Sequence, residues 1–402
     1  MNNRVIGLGR NGAHLAAVFL AVAPSFAFAA QSLTQAINSQ LQTVAEPCSN
    51  LLGNDNGGTV LTGGLEEICA RSAPVGSQAS TQGPSAGNTN NLASDARALL
   101  QNANGETGAT QDLTGKWSLF ANVERETLSH DATTLADAFD SDALRVNAGI
   151  NYALNATSQL GAAVISKTHE GDYESGGDFS SDSIGLRLIA EFGFGKESFL
   201  QVLLGRDQTD TDRTRAASFT DTFQNAVVFS RSATPTSSFS YDENEAAIVL
   251  GTQCALGSTT ITPSLGVNWQ QIDFGTHSEA GASGLEVTTY DDTAKSLQGV
   301  LGLQASWAVS TGWGVWAPQI GASFINEFEN KSRQVQVSFT GDTRAKRFSY
   351  DTEEGDSSYL ALSAGSVFVL KNGLQFYVNA ETYTAYENYS RTVVSGGLRL
   401  EL

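Results

Sequence analysis

The sequence predicts an all-β fold, a twelve-stranded antiparallel transmembrane β-barrel preceded by a small α-helical, disulfide-linked head. Three observations carry that prediction. Segments that alternate apolar and polar residues recur along most of the 402-residue chain, their connections alternate between short and long, and nothing after the first apolar run approaches the roughly 18–20 consecutive apolar residues of a transmembrane helix.

The alternation is plainest in the last segment, 393–402. Val394, Leu398, Leu400 and Leu402 fall on one side of a strand, and Arg391, Arg399 and Glu401 on the other, because successive strand side chains point to opposite faces. The same rhythm marks 144–154, with Arg145, Asn147, Gly149 and Asn151 on the polar side, and 184–192, with Arg187 and Glu191. It recurs in 261–269, in 316–324 and in 374–386, the last with Gln375, Asn379 and Glu381 on the polar face. Weaker examples at 117–123, 160–166, 199–205, 246–256, 297–309 and 359–370 bring the count to about twelve. About eleven residues at roughly 3.3 Å each, tilted near 40°, span about 25–28 Å, the height of an outer-membrane apolar band. Trp117, Tyr152, Trp269, Trp307, Trp316, Phe376 and Tyr386 are expected on apolar faces near strand ends, where interfacial aromatic girdles form.

Connection lengths supply the second line. Tight turns rich in Gly and Asn are expected at 155–157, 193–196, 257–258, 311–312 and 371–373. Long polar loops are expected at 128–142, 169–180, 207–241, 274–292 and 327–357, with a brief link at 388–390. Outer-membrane barrels have short periplasmic turns and long extracellular loops, and an even strand count leaves both barrel termini periplasmic.

Composition agrees. Hydrophobic content is 41% and mean hydropathy −0.16, low for a helical membrane protein and natural for strands that are polar on one face. A net charge of −19 speaks against nucleic acid as a partner, since that needs a basic face.

The N-terminal part is different in kind. Arg4 and Arg10 before an apolar run at 13–26, then Ala27-Phe28-Ala29, read as a signal peptide over 1–29, a substrate of the Sec translocon. Residues 30–71 form the head: Leu33, Ala36, Ile37, Leu41 and Val44 follow helical spacing, as do Leu65, Ile68 and Cys69. Cys48 and Cys69 are close in sequence in an exported segment, where a disulfide closing that loop would contribute about 3 kcal/mol. Residues 72–91 have a linker's composition, and Leu92, Ala96, Leu99 and Leu100 mark a further helix over 92–102, capped by Ser94 or Asp95. The barrel is expected over 115–402. Cys254 continues an outward row of small and apolar residues.

Candidate chemistry is sparse, and no enzyme, cofactor or metal centre is expected. His14 lies in the signal peptide, and His130, His169 and His277 are placed in or beside loops without metal-ligand spacing. His169-Glu170 beside Asp172, and Gly355-Asp356-Ser357, lack the partners a hydrolase needs. The carboxylates of 207–212 lack the glycine and spacing of a calcium loop. Glu124, Arg145, Arg187, Glu191, Glu245, Glu381 and Arg399 share the polar face, where neighbouring strands can pair opposite charges around a wet lumen.

The chain resembles an autotransporter (type V secretion) translocator domain. The likeness is strongest in Ala317-Pro318-Gln319-Ile320-Gly321-Ala322-Ser323-Phe324, Glu327-Phe328, Ser332-Arg333-Gln334-Val335, Phe339-Thr340-Gly341 and Gly396-Gly397-Leu398-Arg399-Leu400, and extends more weakly back to Trp117. It implies a twelve-stranded barrel in the lipid of a Gram-negative outer membrane, inserted by the barrel assembly machinery. It also implies that 92–114 serve as a pore helix and link, and that the barrel translocates or anchors the segment before it. Asn90-Asn91-Leu92 and Asn104-Gly105-Glu106 are similar to the linker of self-cleaving members, which break the chain between two asparagines. Two features depart from the pattern: the chain ends in Leu402 rather than an aromatic residue, and 31–110 are too short for the usual β-helical passenger. The alternatives are a porin or adhesin-like surface barrel with a periplasmic head, and thirdly a barrel enzyme.

Overall fold

The computed structural model describes residues 116–401 apart from 156, 196, 224, 225, 282, 330 and 372. The signal peptide, the head with Cys48 and Cys69, the linker, the helix expected over 92–114 and the Asn90-Asn91 pair lie outside the described residues.

In chain order the strands are β1 (Trp117–His130), β2 (Phe139–Asn155), β3 (Ser158–Tyr173), β4 (Asp178–Phe194), β5 (Ser198–Thr214), β6 (Ala217–Phe223), β7 (Ala226–Ala233), β8 (Thr236–Thr252), β9 (Cys254–Leu256) and β10 (Thr259–Phe274). They continue as β11 (His277–Ser278), β12 (Val287–Thr289), β13 (Asp292–Trp307), β14 (Val309–Ser310), β15 (Gly314–Glu327), β16 (Gln334–Phe339), β17 (Phe348–Asp351), β18 (Ser358–Leu370), β19 (Leu374–Thr384) and β20 (Tyr389–Glu401). Twelve of these, β1 to β5, β8, β10, β13, β15 and β18 to β20, pair antiparallel with their neighbours. β20 returns to β1, with Ser118 opposite Glu401, and the sheet closes. Closure leaves no unpaired edge, the condition for a sheet to sit in lipid. β9 and β14 prolong β8 and β13 past a one-residue break, pairing with β10 and β15.

Side-chain alternation places the two faces as the sequence expects. Leu144, Val146 and Ile150 of β2, Ile184, Leu186 and Leu188 of β4, and Leu301 and Leu303 of β13 are exposed on the outside. Asn147, Asn151, Arg187, Gln298 and Ser296 on the same strands are buried on the inside. Short turns gather at one end of the barrel, where Gly195 and Gly257 have φ of 68° and 69°, conformations open to glycine at no steric cost. Both ends of the barrel sheet lie there too.

At the other end the strands run further than hydropathy suggests. The segment 169–180 is not a loop: β3 and β4 continue through it to a turn at 174–177. β5 and β8 likewise pair from Arg206–Asn244 up to Thr214–Thr236. The reason is solvent. Above the lipid the outer face becomes polar, as in Asp182, Asp210, Asp212, Ser238 and Ser240, so hydropathic alternation fades while the hydrogen-bonded ladder continues. The remaining long connections also carry structure, a β6–β7 hairpin and a four-stranded sheet in the order β11-β12-β16-β17.

Candidate functional site

The interior of the barrel brings most of the polar-face charges together. Cross-strand register explains how: Glu124 of β1 lies opposite Arg145 of β2, which lies opposite Lys167 of β3. Arg145 Nη1 donates to Glu124 Oε1 at 3.2 Å, both side chains nearly inaccessible to solvent. On β4, Arg187 reaches across to β5 and donates through Nη1 and Nη2 to the two Asp207 oxygens at 2.5 and 2.7 Å, a bidentate fork. Its Nε also forms an ion pair with Glu245 of β8. Gly205 makes this possible: it lies opposite both Arg187 and Glu245, and a Cβ there would fall 2.6 Å from Arg187 Cδ and 2.5 Å from Glu245 Cγ.

The band continues around the circumference. Glu243 of β8 accepts from Gln270 Nε2 of β10, Ser296 Oγ of β13 donates to Glu327 Oε2 of β15 at 2.5 Å, and Gln298 Nε2 donates to the Tyr359 hydroxyl at 3.3 Å. Tyr359 sits beside Tyr383, and the Arg391 guanidinium lies 4.5 Å from the Tyr383 ring centre while donating to Glu126 Oε2 at 3.1 Å, which completes the circle at β1. This girdle stands level with the height at which the outer face changes from Val123 to Arg125, from Leu204 to Arg206, from Trp269 to Gln271 and from Leu297 to Lys295. It therefore lies near one interface of the apolar belt. Towards the short-turn end, Phe120, Ala163, Ile165, Ile189, Leu203 and Ala247 form an apolar patch on one inner wall.

All seven lumen charges expected from the sequence lie on the inner face. Glu124, Arg145, Arg187 and Glu245 are paired within the girdle, and Glu381 is buried. Glu191 and Arg399 are half-buried nearer the short-turn end, Glu191 accepting from Gln201 Nε2 at 3.2 Å. Glu126, Lys167, Asp207 and Glu243 join them on the inner face, although the hydropathy pattern does not single them out. Each continues the inward parity of a strand with clear alternation by one or two steps, into or beside a stretch whose polarity resembles a loop.

Other expectations need correction. His169 is on the inner face of β3, its ring edge-on to Phe179 at 5.0 Å, and His130 is the last residue of β1, hydrogen-bonded to the Asp137 carbonyl and to Glu353, both at 2.8 Å. Tyr386 does not face lipid. It stacks on Tyr359 and Tyr389, with ring centres 4.6 and 4.8 Å away, because β19 ends at Thr384 and the chain has turned inward. The carboxylates of 207–212 are split by strand parity, Asp207 pointing to Arg187 while Asp210 and Asp212 face outward and accept from Ser240 and Ser238.

The loop-end structure has its own polar anchors. Glu279 accepts from Arg215 Nε and Nη2 at 2.6 and 2.7 Å and from the Val287 N–H at 2.9 Å. Burial pushes the Glu286 carboxyl up, yet the backbone and hydroxyl donors of Ser283 and the Gly284 N–H hold it below the usual carboxylate range.

A closed antiparallel barrel with an apolar belt outside and a hydrophilic wall inside is an outer-membrane β-barrel. Residues 119–381 match the autotransporter beta-domain family, and the chain belongs to that family. Among solved structures, the translocator domain of the autotransporter NalP from Neisseria meningitidis is similar at a TM-score of 0.57 and 14% identity, over 78% of this chain and all of that one. The beta domain of the Bordetella autotransporter BrkA is similar at 0.51 and 14% identity, over 71% of this chain and all of that one. At this identity the likeness speaks to the fold alone. No curated protein sequence matches the chain. The barrel is thus a translocator-type transport domain of a Gram-negative outer membrane.

Proposed function

We propose that the protein moves a short N-terminal passenger, residues 30–91, through its own barrel and holds it at the cell surface. The observation that supports this most is the hydrophilic wall of a closed bore in a chain of the autotransporter beta-domain family. A polypeptide crossing such a bore must keep its backbone groups hydrogen-bonded. Asn122, Asn147, Asn151 and Asn268 line the interior with side-chain amide atoms that have no hydrogen-bond partner among the described residues. They can serve a polar chain in transit.

In this reading the signal peptide over 1–29 takes the chain through the Sec translocon, and the barrel assembly machinery inserts 115–402 into outer-membrane lipid. The short-turn end faces the periplasm with both barrel termini, and the folded loops face outward. Residues 92–114 remain in the lumen as a pore helix, gripped by the girdle charges. The head is closed by Cys48 and Cys69 on the outside, and Asn90-Asn91 is the place where self-cleavage would release it. The experiment is protease shaving of intact cells carrying an epitope within residues 35–45. Loss of the epitope is expected. A protected epitope would remove passenger export and leave a porin or adhesin-like barrel with a periplasmic head.

A further inference from the structure

The connection from β10 to β13 and that from β15 to β18 fold together at the loop end, where β12 of the first pairs with β16 of the second to give the sheet β11-β12-β16-β17. Val287, Val335, Val337 and Phe339 are buried in it, so it is one packed unit rather than two separate loops. Two polar contacts pin this sheet to the barrel rim. On one side Arg215, one residue past β5, forks onto Glu279, and Ala280 exchanges two backbone hydrogen bonds with Thr236 of β8 at 2.7 and 3.1 Å. On the other, Glu353, two residues past β17, meets His130 at the end of β1. Arg215 and His130 both keep the inward parity of their strands and are buried, so a sheet held by the pair reaches over the mouth of the bore.

The two contacts differ in chemistry. A guanidinium keeps its charge at every physiological pH, whereas an imidazole does not. The His130 side chain is fully buried and that of Glu353 nearly so, with Nδ1 2.8 Å from the Asp137 carbonyl oxygen and Nε2 2.8 Å from Glu353 Oε2. A neutral imidazole has one N–H, and a carbonyl or an ionised carboxylate can only accept. Both bonds therefore exist together only while the pair holds one proton more than a neutral ring and an ionised carboxylate carry. The rings of Phe139 on β2 and Tyr389 on β20, with centres 5.3 and 4.4 Å from the imidazole, favour its charged form too. Burial works against that form, yet the bonds to Glu353 and to the Asp137 carbonyl, with the Asp131 carboxylate nearby, carry the ring above the usual imidazole range. The Asp137 carboxylate itself accepts from the Ser175 N–H at 3.0 Å.

We propose that this four-stranded sheet is a lid on the bore worked by a proton, shut while His130 and Glu353 share it and released from β1 when it leaves, with Arg215 and Glu279 as the hinge. Once the proton is gone, the Nε2 lone pair faces the Glu353 carboxylate where little water separates them, and the contact turns repulsive. His130 keeps its proton above the ordinary imidazole value of about 6.5, so its hold is complete below that pH and is lost as pH climbs through the raised value. The lid is therefore shut in acid and opens on the alkaline side. His277, the other imidazole of the sheet, is held below the usual range by burial, which puts its titration on the acid side of this window.

The test is a distance between two nitroxide labels on the full chain folded in detergent micelles, read by pulsed electron resonance across the alkaline transition, with heat-modifiable gel migration confirming the barrel for each variant. Ser129→Cys on the rim and Lys346→Cys on the turn between β16 and β17 are both exposed sites, and Cys48, Cys69 and Cys254 are replaced by Ser in that background. One short distance is expected at pH about 6, lengthening and broadening by pH about 9 as the imidazole loses its proton. Glu353→Gln should stay short throughout, because an amide can donate to a neutral ring or accept from a charged one. His130→Phe should be long throughout. A distance that does not change with pH in the otherwise unaltered chain would overturn the lid. So would a Glu353→Gln variant that lengthens as the parent does, or a folded His130→Phe variant that stays short. If His130→Phe does not fold, the Glu353→Gln comparison decides.

Discussion

The two faces of a single strand pair, β5 and β8, carry nearly the same charges under opposite physics. Asp207 and Glu245 point inward and hold Arg187, whose side chain is 2% exposed. Their neighbours Arg206 and Asp242 point outward and meet at 3.2 Å with side chains 68% and 46% exposed. Inside, each charge has lost its water and depends on its partner, whereas outside solvent already serves both. The inner cluster therefore ties together three strands, β4, β5 and β8. The outer pair marks where lipid gives way to water, since Leu204, two residues before Arg206, is exposed on the same face.

The largest effect expected from this contrast follows removal of the central cation. Arg187→Met leaves Asp207 and Glu245 close together and unpaired in the lumen wall, and should cost about 3–5 kcal/mol. The midpoint of denaturant unfolding of the barrel in phospholipid vesicles measures it. Replacing the whole cluster, Arg187→Met with Asp207→Leu and Glu245→Leu, is expected to recover most of the loss, because no orphan charge remains. A triple variant no more stable than the single one would show that the charges stabilise beyond satisfying each other.

Next comes the outer belt. Leu188 is exposed near the middle of the apolar stretch of β4, and Leu188→Arg should cost about 2–4 kcal/mol in the same assay, while Asp182→Lys, three turns of the pleat higher on the same face, should cost close to nothing. Equal costs at the two positions would place the membrane boundary elsewhere. A smaller loss of about 1–3 kcal/mol is expected for Gly205→Val, which overfills the space taken by Arg187 Cδ and the Glu245 side chain. Gly266 on β10 is the control, since a Cβ there would meet nothing closer than 3.4 Å.

Where lipid wets the outside, the sequence was easy to read. In 144–154 and 184–192 every outward position is apolar or small and every inward one except Ile189 is polar or small, so period, face and the inward placement of Arg145 and Arg187 follow from hydropathy alone. Once water wets both sides, as from Arg206 to Thr214, the face of a residue no longer shows in its polarity, so 207–241 has the look of a loop although the ladder of β5 and β8 continues into it. Asp207 was lost for that reason, and so were Glu243 and the paired side chains of the loop-end sheet. The convergence of Arg187, Asp207 and Glu245 is a matter of register across three strands. Register is set by turn lengths and by the vacancy at Gly205, neither of which a period-two pattern contains.

The smallest expected effect is the one that tests the contrast most directly, a double-mutant cycle on Arg206 and Asp242. Both side chains are largely solvated and their one close contact is a single Nη2 to Oδ2 bond, so the coupling energy should fall in the range of about 0.2–1 kcal/mol and shrink as salt is raised. The same cycle on Arg391 and Glu126, which meet at 3.1 Å with side chains 1% and 5% exposed, should give a coupling several times larger and nearly insensitive to salt. Equal couplings, or equal salt dependence, would mean that water reaches the girdle as freely as it reaches the outer wall, and the lumen charges would then be a solvated lining rather than the element that holds the strands in place.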